Sequence, residues 1–119
     1  MIEETERSVR EVYGIDINQR NDILKFLQGA VYCWCKNRKG EWFAARDLIG
    51  GDNYFWEGTP LFFLYDRYKR EGKDNDSAIE EAAKDAGWLL KKVIQEDKRL
   101  FNSDKAFVRR YKWNGDSSY

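Results

Sequence analysis

Three carboxylates around a glycine-rich segment are the side chains best suited to catalysis. Asp47, Asp52 and Glu57 lie close together in the sequence, and two or three carboxylates can hold Mg²⁺ for phosphodiester hydrolysis. Nuclease sites of this kind need an acid followed by acid-x-Lys on a following strand, and no plausible strand of this sequence carries that pattern. A carboxylate–metal enzyme is therefore only the minor alternative, and we expect a protein without enzymatic activity.

The absence of histidine narrows the chemistry further. None of the 119 residues is a histidine, which excludes Ser-His-Asp and Cys-His catalysis and all histidine-ligated metal sites. Cys33 and Cys35 are the two cysteines. Two positions apart on a helix, they point about 200° away from each other, so they cannot share a disulfide or a metal ion. We expect two reduced cysteines, no cofactor and no bound metal.

Basic side chains gather toward the end of the chain, where they could neutralise nucleic-acid phosphates. They lie on the polar side of the last predicted helix and on a predicted hairpin: Lys91, Lys92, Arg99, Lys105, Arg109, Arg110 and Lys112. Trp88 lies among the helical lysines and could stack on a base or pack against a partner chain; alternatively, the N-terminal segment covers it. The hairpin cations predict contact with DNA, and the alternatives are a solvated surface or an acidic protein partner.

Consecutive aromatic residues mark a second candidate binding segment. Tyr54, Phe55 and Trp56 follow Gly50 and Gly51, and exposed aromatic side chains make efficient anchors for a protein partner. The glycines lack the Lys-Ser/Thr of a phosphate-binding P-loop. Two interpretations stay open: a partner-binding loop, or aromatic side chains that fill the core between two helices.

The charges alternate along the chain although they cancel in total, with 21 Lys and Arg against 21 Asp and Glu. Residues 23–46 hold five basic and one acidic side chain, and residues 84–119 hold nine basic and five acidic ones. Because salt screens electric fields beyond about 8–10 Å, a basic third of the chain can attract an anionic partner even when the whole chain is neutral. The alternative is that opposite charges pair on folding.

Length and composition predict one cytoplasmic domain. A chain of 119 residues has little room for a second domain, and 16% aromatic residues with a single proline argue against disorder. The sequence contains no apolar run of about 18 residues, and its N-terminal Met-Ile-Glu-Glu is acidic, unlike a signal peptide. We expect no membrane association. Residues 1–17 would be a mobile or loosely docked lead-in, residues 18–113 the domain, and residues 114–119 a frayed tail.

Apolar spacing predicts a first helix that is capped by Asp16 or Asn18 and ends near Arg38. Its apolar side recurs at intervals of three and four residues: Ile23, Leu27, Ala30, Val31 and Trp34. Residues 41–43 suit a short edge strand, and residues 44–48 suit a turn or two of helix.

A further helix start is predicted at Thr59-Pro60, because Thr is a good cap and Pro fits the first helical position. Gly72 would end this helix. Its apolar side would be formed by Leu61, Leu64, Tyr65 and Tyr68.

The firmest prediction is a helix over residues 77–97. Ser77 and Glu80 form a capping-box pattern. The apolar residues fall in one stripe along the helix: Ile79, Ala82, Ala83, Ala86, Leu89, Leu90, Val93 and Ile94. The spacing of Ala83, Gly87 and Val93 also fits a helix-turn-helix unit with a turn at Gly87. A continuous helix is favoured because the stripe is unbroken, although both interpretations stay open.

The last part of the chain predicts a β-hairpin. Residues 99–101 and 106–113 are two extended runs, and residues 102–105 form a polar connector. Side chains alternate between the two faces of a strand. Phe107, Tyr111 and Trp113 would therefore share one face, and Val108, Arg110 and Lys112 the other.

This order of helix, short strand, helices and hairpin resembles the winged-helix class of nucleic-acid-binding domains. The resemblance covers residues 18–113: Trp42-Phe43 followed by residues 45–48 is similar to the first strand and second helix of that class, and residues 99–113 to its wing. It implies a mostly helical α+β domain that docks on DNA through its last helix and its hairpin. The alternative is a protein-interaction or assembly module, such as a homodimer, that uses the exposed aromatics.

Overall fold

The computed structural model describes residues 9–51, 55–105 and 108–117. Along these residues lie α1 (Ile17–Asn37), α2 (Ala45–Leu48), α3 (Phe62–Arg70), α4 (Asn75–Glu96), β1 (Arg99–Lys105) and β2 (Arg109–Ser117). The strands form an antiparallel hairpin after the helices, which confirms the α+β class. Within the described ranges, no helix is both long enough and apolar enough to cross a membrane.

Helix α1 begins where the sequence predicts it. The Asp16 carboxylate accepts a hydrogen bond from the Gln19 N–H (2.8 Å), and the Gln19 side chain accepts one from the Asp16 N–H (3.0 Å). Two N–H groups at the helix start are thereby satisfied. The buried side is a row at four-residue spacing: Ile23, Leu27, Val31 and Cys35. Ala30 and Trp34, expected in this row, are half-buried beside it.

Helix α4 begins at Asn75, ahead of the predicted start at Ser77. The Asp74 carboxylate caps it by accepting a hydrogen bond from the Ser77 N–H (2.8 Å), and this bond lowers the pKa of Asp74. The predicted capping box of Ser77 and Glu80 is therefore wrong. Asp caps a helix as well as Ser does, and the earlier carboxylate lengthens the helix at its N-terminus.

Helix α4 continues through Gly87 without a turn. The helix-turn-helix interpretation of Ala83, Gly87 and Val93 is therefore wrong, and the continuous helix is confirmed. Its buried apolar residues are Ala78, Ala82, Ala86, Leu89, Leu90, Val93 and Ile94. Ile79 and Ala83, at the edge of the predicted stripe, are only half-buried, so the neighbouring elements do not cover the full width of the stripe.

Helix α3 begins at Phe62 rather than at Pro60. The N–H groups of Phe62 and Phe63 donate to the carbonyls three residues back, at Thr59 and Pro60, so a 3₁₀-type turn precedes the α-helix. The Thr59 hydroxyl donates to the Trp56 carbonyl (2.8 Å) and is not the predicted cap.

A half-buried polar cluster fixes α3 to α4. The Asp85 carboxylate accepts hydrogen bonds from the Arg67 guanidinium and from the Tyr68 hydroxyl, the latter at 2.6 Å. Burial, together with the bond to Asp85, raises the pKa of Tyr68 to about 12. The phenol therefore keeps its proton and its donor role across the ordinary pH range.

The hairpin is longer than predicted, and its turn lies elsewhere. β1 extends to Lys105, so residues 102–105 are strand and not a connector. Asp104 pairs with Arg110 across the ladder, and their side chains form two hydrogen bonds of 3.0 and 2.7 Å. Such opposite-charge pairs stabilise a sheet, which explains why this polar stretch is extended.

Both ends of the hairpin differ from the sequence prediction. The chain reverses between Lys105 and Arg109, which pair with each other. Phe107, which is expected on the aromatic face of the hairpin, lies outside the described residues. At the other end, Arg99 pairs with Ser117, so the expected frayed tail is strand as far as this residue.

Phe43 lies in the core that joins the helices to the hairpin. Its ring centroid is 5.5 Å from that of Trp34, 6.2 Å from that of Phe101 and 5.9 Å from that of Tyr111. The backbones of Phe43 and Tyr111 exchange two hydrogen bonds, both 2.8 Å long. The expected edge strand over residues 41–43 is thus a single bridge.

The described part of the lead-in docks on the helices. Val12 is buried in the core, and the Glu11 carboxylate accepts a hydrogen bond from the Arg20 guanidinium (2.6 Å). Residues 9–16 of the lead-in are therefore in contact with the helices, and residues 1–8 lie outside the described ranges.

Candidate nucleic-acid interface

Backbone pairing at Phe43 places the first side chains of the candidate site. Phe43 and Tyr111 are buried, and successive side chains of an extended chain point to opposite faces. Their neighbours Trp42, Arg110 and Lys112 therefore point outward. The Arg110 Cζ and the Lys112 Nζ lie 4.8 and 4.9 Å from the centroid of the Trp42 ring. One indole thus holds two cations at cation–π distance.

The end of α1 adds further cations. The Arg38 N–H ends the helix by donating to the Trp34 carbonyl (2.7 Å). Gly40 then turns the chain with a φ of 80°, a conformation that glycine adopts without steric cost. The Arg38 Cζ lies 5.3 Å from the Trp34 ring centroid, and the Lys39 Nζ lies 5.2 Å from that of Trp113 in β2. The end of α1 is therefore in contact with the hairpin.

A buried carboxylate positions Arg99 at the start of β1. The Asp97 carboxylate is buried and accepts hydrogen bonds from the Arg99 N–H (2.8 Å), the Arg99 guanidinium (3.0 and 3.1 Å) and the Gln28 side chain (2.8 Å). The Arg99 Cζ lies 4.3 Å from the ring centroid of Tyr32 and 5.6 Å from that of Trp113. Arg99 therefore links the α4–β1 connection to α1.

Together these side chains form the cation–aromatic cluster, which is Tyr32, Trp34, Arg38, Lys39, Trp42, Arg99, Arg110, Lys112 and Trp113. Glu41, Asp97 and Asp104 pair with three of its five cations, namely Arg38, Arg99 and Arg110. The cations come from both basic segments of the sequence, residues 23–46 and 84–119. Folding therefore brings the two segments together at this surface.

Asp104 and Arg110 form an ion pair with two hydrogen bonds on the outer side of the hairpin. The hydrogen bond from Arg110 lowers the pKa of Asp104, and the hydrogen bond to Asp104 raises the pKa of Arg110. Both groups stay charged, and the bidentate contact fixes the guanidinium plane. One cation of the cluster is thus oriented by a carboxylate as well as by Trp42.

The structure separates the cations that the sequence assigns to DNA. Arg99, Arg110 and Lys112 belong to the cluster. Lys105 and Arg109 lie opposite each other in the strand register, on the other face of the hairpin, beside α2 and α4. Successive side chains of a strand alternate between its two faces, which explains this separation.

The lysines of α4 do not form the expected exposed patch. Lys91 is 8% exposed, with its Nζ 5.4 Å from the ring centroid of Trp88. Trp88 itself is half-buried and packs against the core. Lys92 forms an ion pair with Glu96 (3.1 Å). The position of a residue around the helix axis does not show whether another element covers that side of the helix. The sequence therefore predicts that Lys91 is exposed, although it is buried.

The consecutive aromatics occupy different environments. Trp56 is 4% exposed, and its indole N–H donates to the Ile49 carbonyl (3.1 Å), so it fills the core, as one of the two interpretations has it. Phe55 is 82% exposed and stays a candidate anchor. Tyr54 lies outside the described residues.

The described members of the candidate metal ligands, Asp47 and Glu57, belong to no metal-binding group of side chains. In the part of the chain that is described, no group of three potential ligands lies close enough to hold a metal ion. Asp47 accepts a hydrogen bond from the Ala44 N–H (2.8 Å) at the start of α2, Glu57 is exposed, and Asp52 lies outside the described ranges. Both cysteines are free thiols.

Sequence reasoning missed six members of the cluster, namely Tyr32, Trp34, Arg38, Lys39, Trp42 and Trp113. Trp34 and Arg38 stand four residues apart on a helix, a spacing at which side chains meet, so this pair offers a local signal. The contact of Lys39 with Trp113 joins distant parts of the sequence, and no local pattern indicates it.

Comparison with known proteins gives no assignment, since no family model, curated protein or solved structure matches this chain significantly.

Proposed function

We propose that this protein binds DNA through the cation–aromatic cluster, with little dependence on base sequence. The main support is the stacking of five cations, drawn from two distant basic segments, on aromatic rings beside the hairpin. Lys and Arg neutralise phosphates and release counterions, which supplies most of the affinity of non-specific binding. Contacts to phosphate position a protein on DNA but carry no information about the bases.

Stacking on aromatic rings restricts the rotamers of these basic side chains before they meet a phosphate. A long basic side chain loses up to about 2 kcal/mol of rotamer freedom when it is immobilised. Arg110 and Lys112 are already held at Trp42, and Lys39 at Trp113. Much of this entropy is therefore lost on folding rather than on binding, which favours association.

The proposal assigns DNA contact to the hairpin and the end of α1 rather than to α4. The order of helix, bridge, helices and hairpin agrees with the resemblance to winged-helix domains and supports the hairpin as a DNA-binding element. Helix α4 contacts α1, α2 and α3, and Lys91 is buried on it. We therefore give α4 no role in the contact.

A protein-interaction module built on exposed aromatics is the second candidate. Phe55 favours it, because this side chain projects almost fully into solvent. Trp56 no longer supports it, since its ring belongs to the core. One exposed ring is a weaker basis than a cluster of five cations, and DNA binding is the better-supported function.

The test compares two charge-matched double variants by fluorescence anisotropy with a labelled duplex of about 20 base pairs. Lys39→Gln with Lys112→Gln removes two cations of the cluster. Lys25→Gln with Lys69→Gln removes two exposed lysines of α1 and α3. We expect the cluster variant to lose about 5- to 20-fold in affinity at about 50 mM salt and to flatten the slope of log affinity against log salt by about 2.

The control variant should bind like the wild-type chain, apart from a small effect of net charge. Equal losses in both variants would show that only the total charge matters. Absence of wild-type binding at low salt would remove the proposal altogether.

A further inference from the structure

A groove of about 950 Å³ lies between the first half of α4, helix α2 and the turn end of the hairpin. Its α4 wall extends from Asp76 to Leu90, which is about 21 Å along a helix. No side chain of the cation–aromatic cluster lines it, so the groove is separate from the proposed DNA-binding surface.

The α4 wall includes the edge of the apolar stripe that the domain leaves partly uncovered, at Ile79 and Ala83, and it ends at the buried Leu90. Ile79, Ala83, Gly87 and Leu90 lie along it at three- and four-residue spacing. A Cβ atom built on Gly87 would meet no atom within 4 Å among the described residues. Glycine is unfavourable inside a helix, so this position sacrifices helix stability and leaves the groove open at its middle.

The facing wall is also apolar. Ile49 contributes from the position just after α2, and Val108, which is 39% exposed, contributes from the hairpin. The buried Tyr111 also lines the groove. An apolar groove of this length and depth is suited to the apolar face of an amphipathic helix, which places anchors at three- and four-residue spacing.

Among the described residues that line the groove, four are basic and two are acidic. Arg46 lies on the α2 side, and Lys105 and Arg109 lie on the hairpin. Lys84 lies on the α4 side, where it pairs with Glu80 (3.8 Å) and Glu81 (3.6 Å). Among the described residues of the hairpin, none contributes a carboxylate to this rim, since Asp104 faces the opposite side and bonds to Arg110 there. The acidic residues in the described part of the rim are Asp76 and Glu80, in the first turns of α4.

We propose that this groove binds an acidic amphipathic helix of a partner protein. The apolar face of the helix would pack on Ile79, Gly87 and Val108. Its carboxylates would face Lys105 and Arg109, and its less acidic end would lie beside Asp76. The complementary charge of the rim selects an acidic segment over a basic one.

Binding is measured by anisotropy with a fluorescein-labelled peptide of about 14 residues, enough to span the groove. The peptide has leucines on one helical face and glutamates elsewhere, and a comparison peptide carries lysine at every glutamate position. Gly87→Leu fills the middle of the groove. Gly29→Leu is its matched control, because Gly29 also lies within a helix and has no described atom near its Cβ position.

We expect the acidic peptide to bind with a dissociation constant below about 100 μM and the lysine peptide to bind at least tenfold more weakly. Gly87→Leu should weaken binding of the acidic peptide at least tenfold, and Gly29→Leu should leave it unchanged. Lys105→Gln with Arg109→Gln should also weaken it and reduce its salt dependence, which decides the case if Gly87→Leu fails to fold by circular dichroism.

Several results would overturn the proposal. One is no binding of the acidic peptide at about 1 mM. Others are equal binding of the two peptides, or equal affinities for the Gly87→Leu and Gly29→Leu variants. Tighter binding of laurate, with displacement of the peptide, would assign the groove to a small anionic amphiphile instead.

Discussion

Asp97 bonds to the guanidinium of Arg99 through both carboxylate oxygens, and this pair sits where α4 ends and β1 begins. The same carboxylate receives the Gln28 amide from α1. One side chain therefore joins the two long helices to the hairpin and holds a cation of the cluster in place over Tyr32.

Asp97→Asn should destabilise the fold. It leaves a largely buried guanidinium without its carboxylate, and breaking a buried ion pair is costly. We expect a loss of about 2–3 kcal/mol in the free energy of unfolding, measured by urea denaturation. Glu96→Gln is the neighbouring control, because its exposed carboxylate pairs with Lys92 on the surface. Similar losses at the two positions would contradict the structural role of Asp97.

Tyr68→Phe should reduce stability at neutral pH and alter its alkaline dependence. The folded-state pKa is raised from 10.0 to about 12, so unfolding favours loss of the phenolic proton. The contribution of Tyr68 is fully present below pH 10 and is lost as the pH rises toward 12. The difference in melting temperature between wild type and Tyr68→Phe should therefore shrink above about pH 10.

Exposed Tyr13 provides the comparison for this titration. Tyr13→Phe should melt like the wild-type chain at every pH. A constant difference between wild type and Tyr68→Phe from pH 8 to pH 11 would disprove the link between Tyr68 and Asp85.

Asp104→Asn should strengthen DNA binding. The substitution removes a carboxylate that bonds to Arg110. The cluster therefore gains one net positive charge, and the Arg110 guanidinium becomes available to a phosphate. We expect roughly a threefold rise in duplex affinity at low salt and a steeper salt dependence. Asp66→Asn makes the same charge change in α3, beside Arg70, and should have little effect. A rise of equal size in both variants would count against the assigned site.

Two glycines with the same empty surroundings should respond to alanine in opposite ways. Among the described residues, no atom lies within 4 Å of a Cβ built on Gly29 or on Gly40. Gly29 lies within α1, so Gly29→Ala should stabilise the fold by about 0.5–1 kcal/mol. Gly40 has a φ of 80°, so Gly40→Ala should destabilise it by about 1 kcal/mol. Thermal unfolding that shifts in the same direction for both would contradict the backbone geometry.

The long helices could be predicted because their apolar residues follow one local rule. Ile23, Leu27 and Val31 recur in the sequence at the spacing of a helix turn, as do the apolar residues of α4. The same residues are buried in the structure. The bounds were less predictable, since Asp74 competes with Ser77 for the cap. Asp74 and Ser77 are three residues apart and are both suitable capping residues. The choice between them depends on the path of the chain between α3 and α4.

The hairpin and the site depend on contacts that no short window contains. Residues 102–105 have the composition of a turn, yet Arg110 on the other strand binds Asp104 and keeps it extended. Likewise, Trp42 and Lys112 meet only because Phe43 pairs with Tyr111. Segment charge indicated that basic regions exist, and only tertiary structure showed which of their side chains come together.

The bridge between Phe43 and Tyr111 also has a kinetic consequence. It closes a long loop of chain, and such closure loses entropy before the non-local contact stabilises anything, which slows folding. Docking of the hairpin therefore belongs to a late stage, after the helices have packed. Trp42 acquires Arg110 and Lys112 only at that stage. In a refolding experiment, the proposed DNA affinity should consequently appear only after the helical circular dichroism signal.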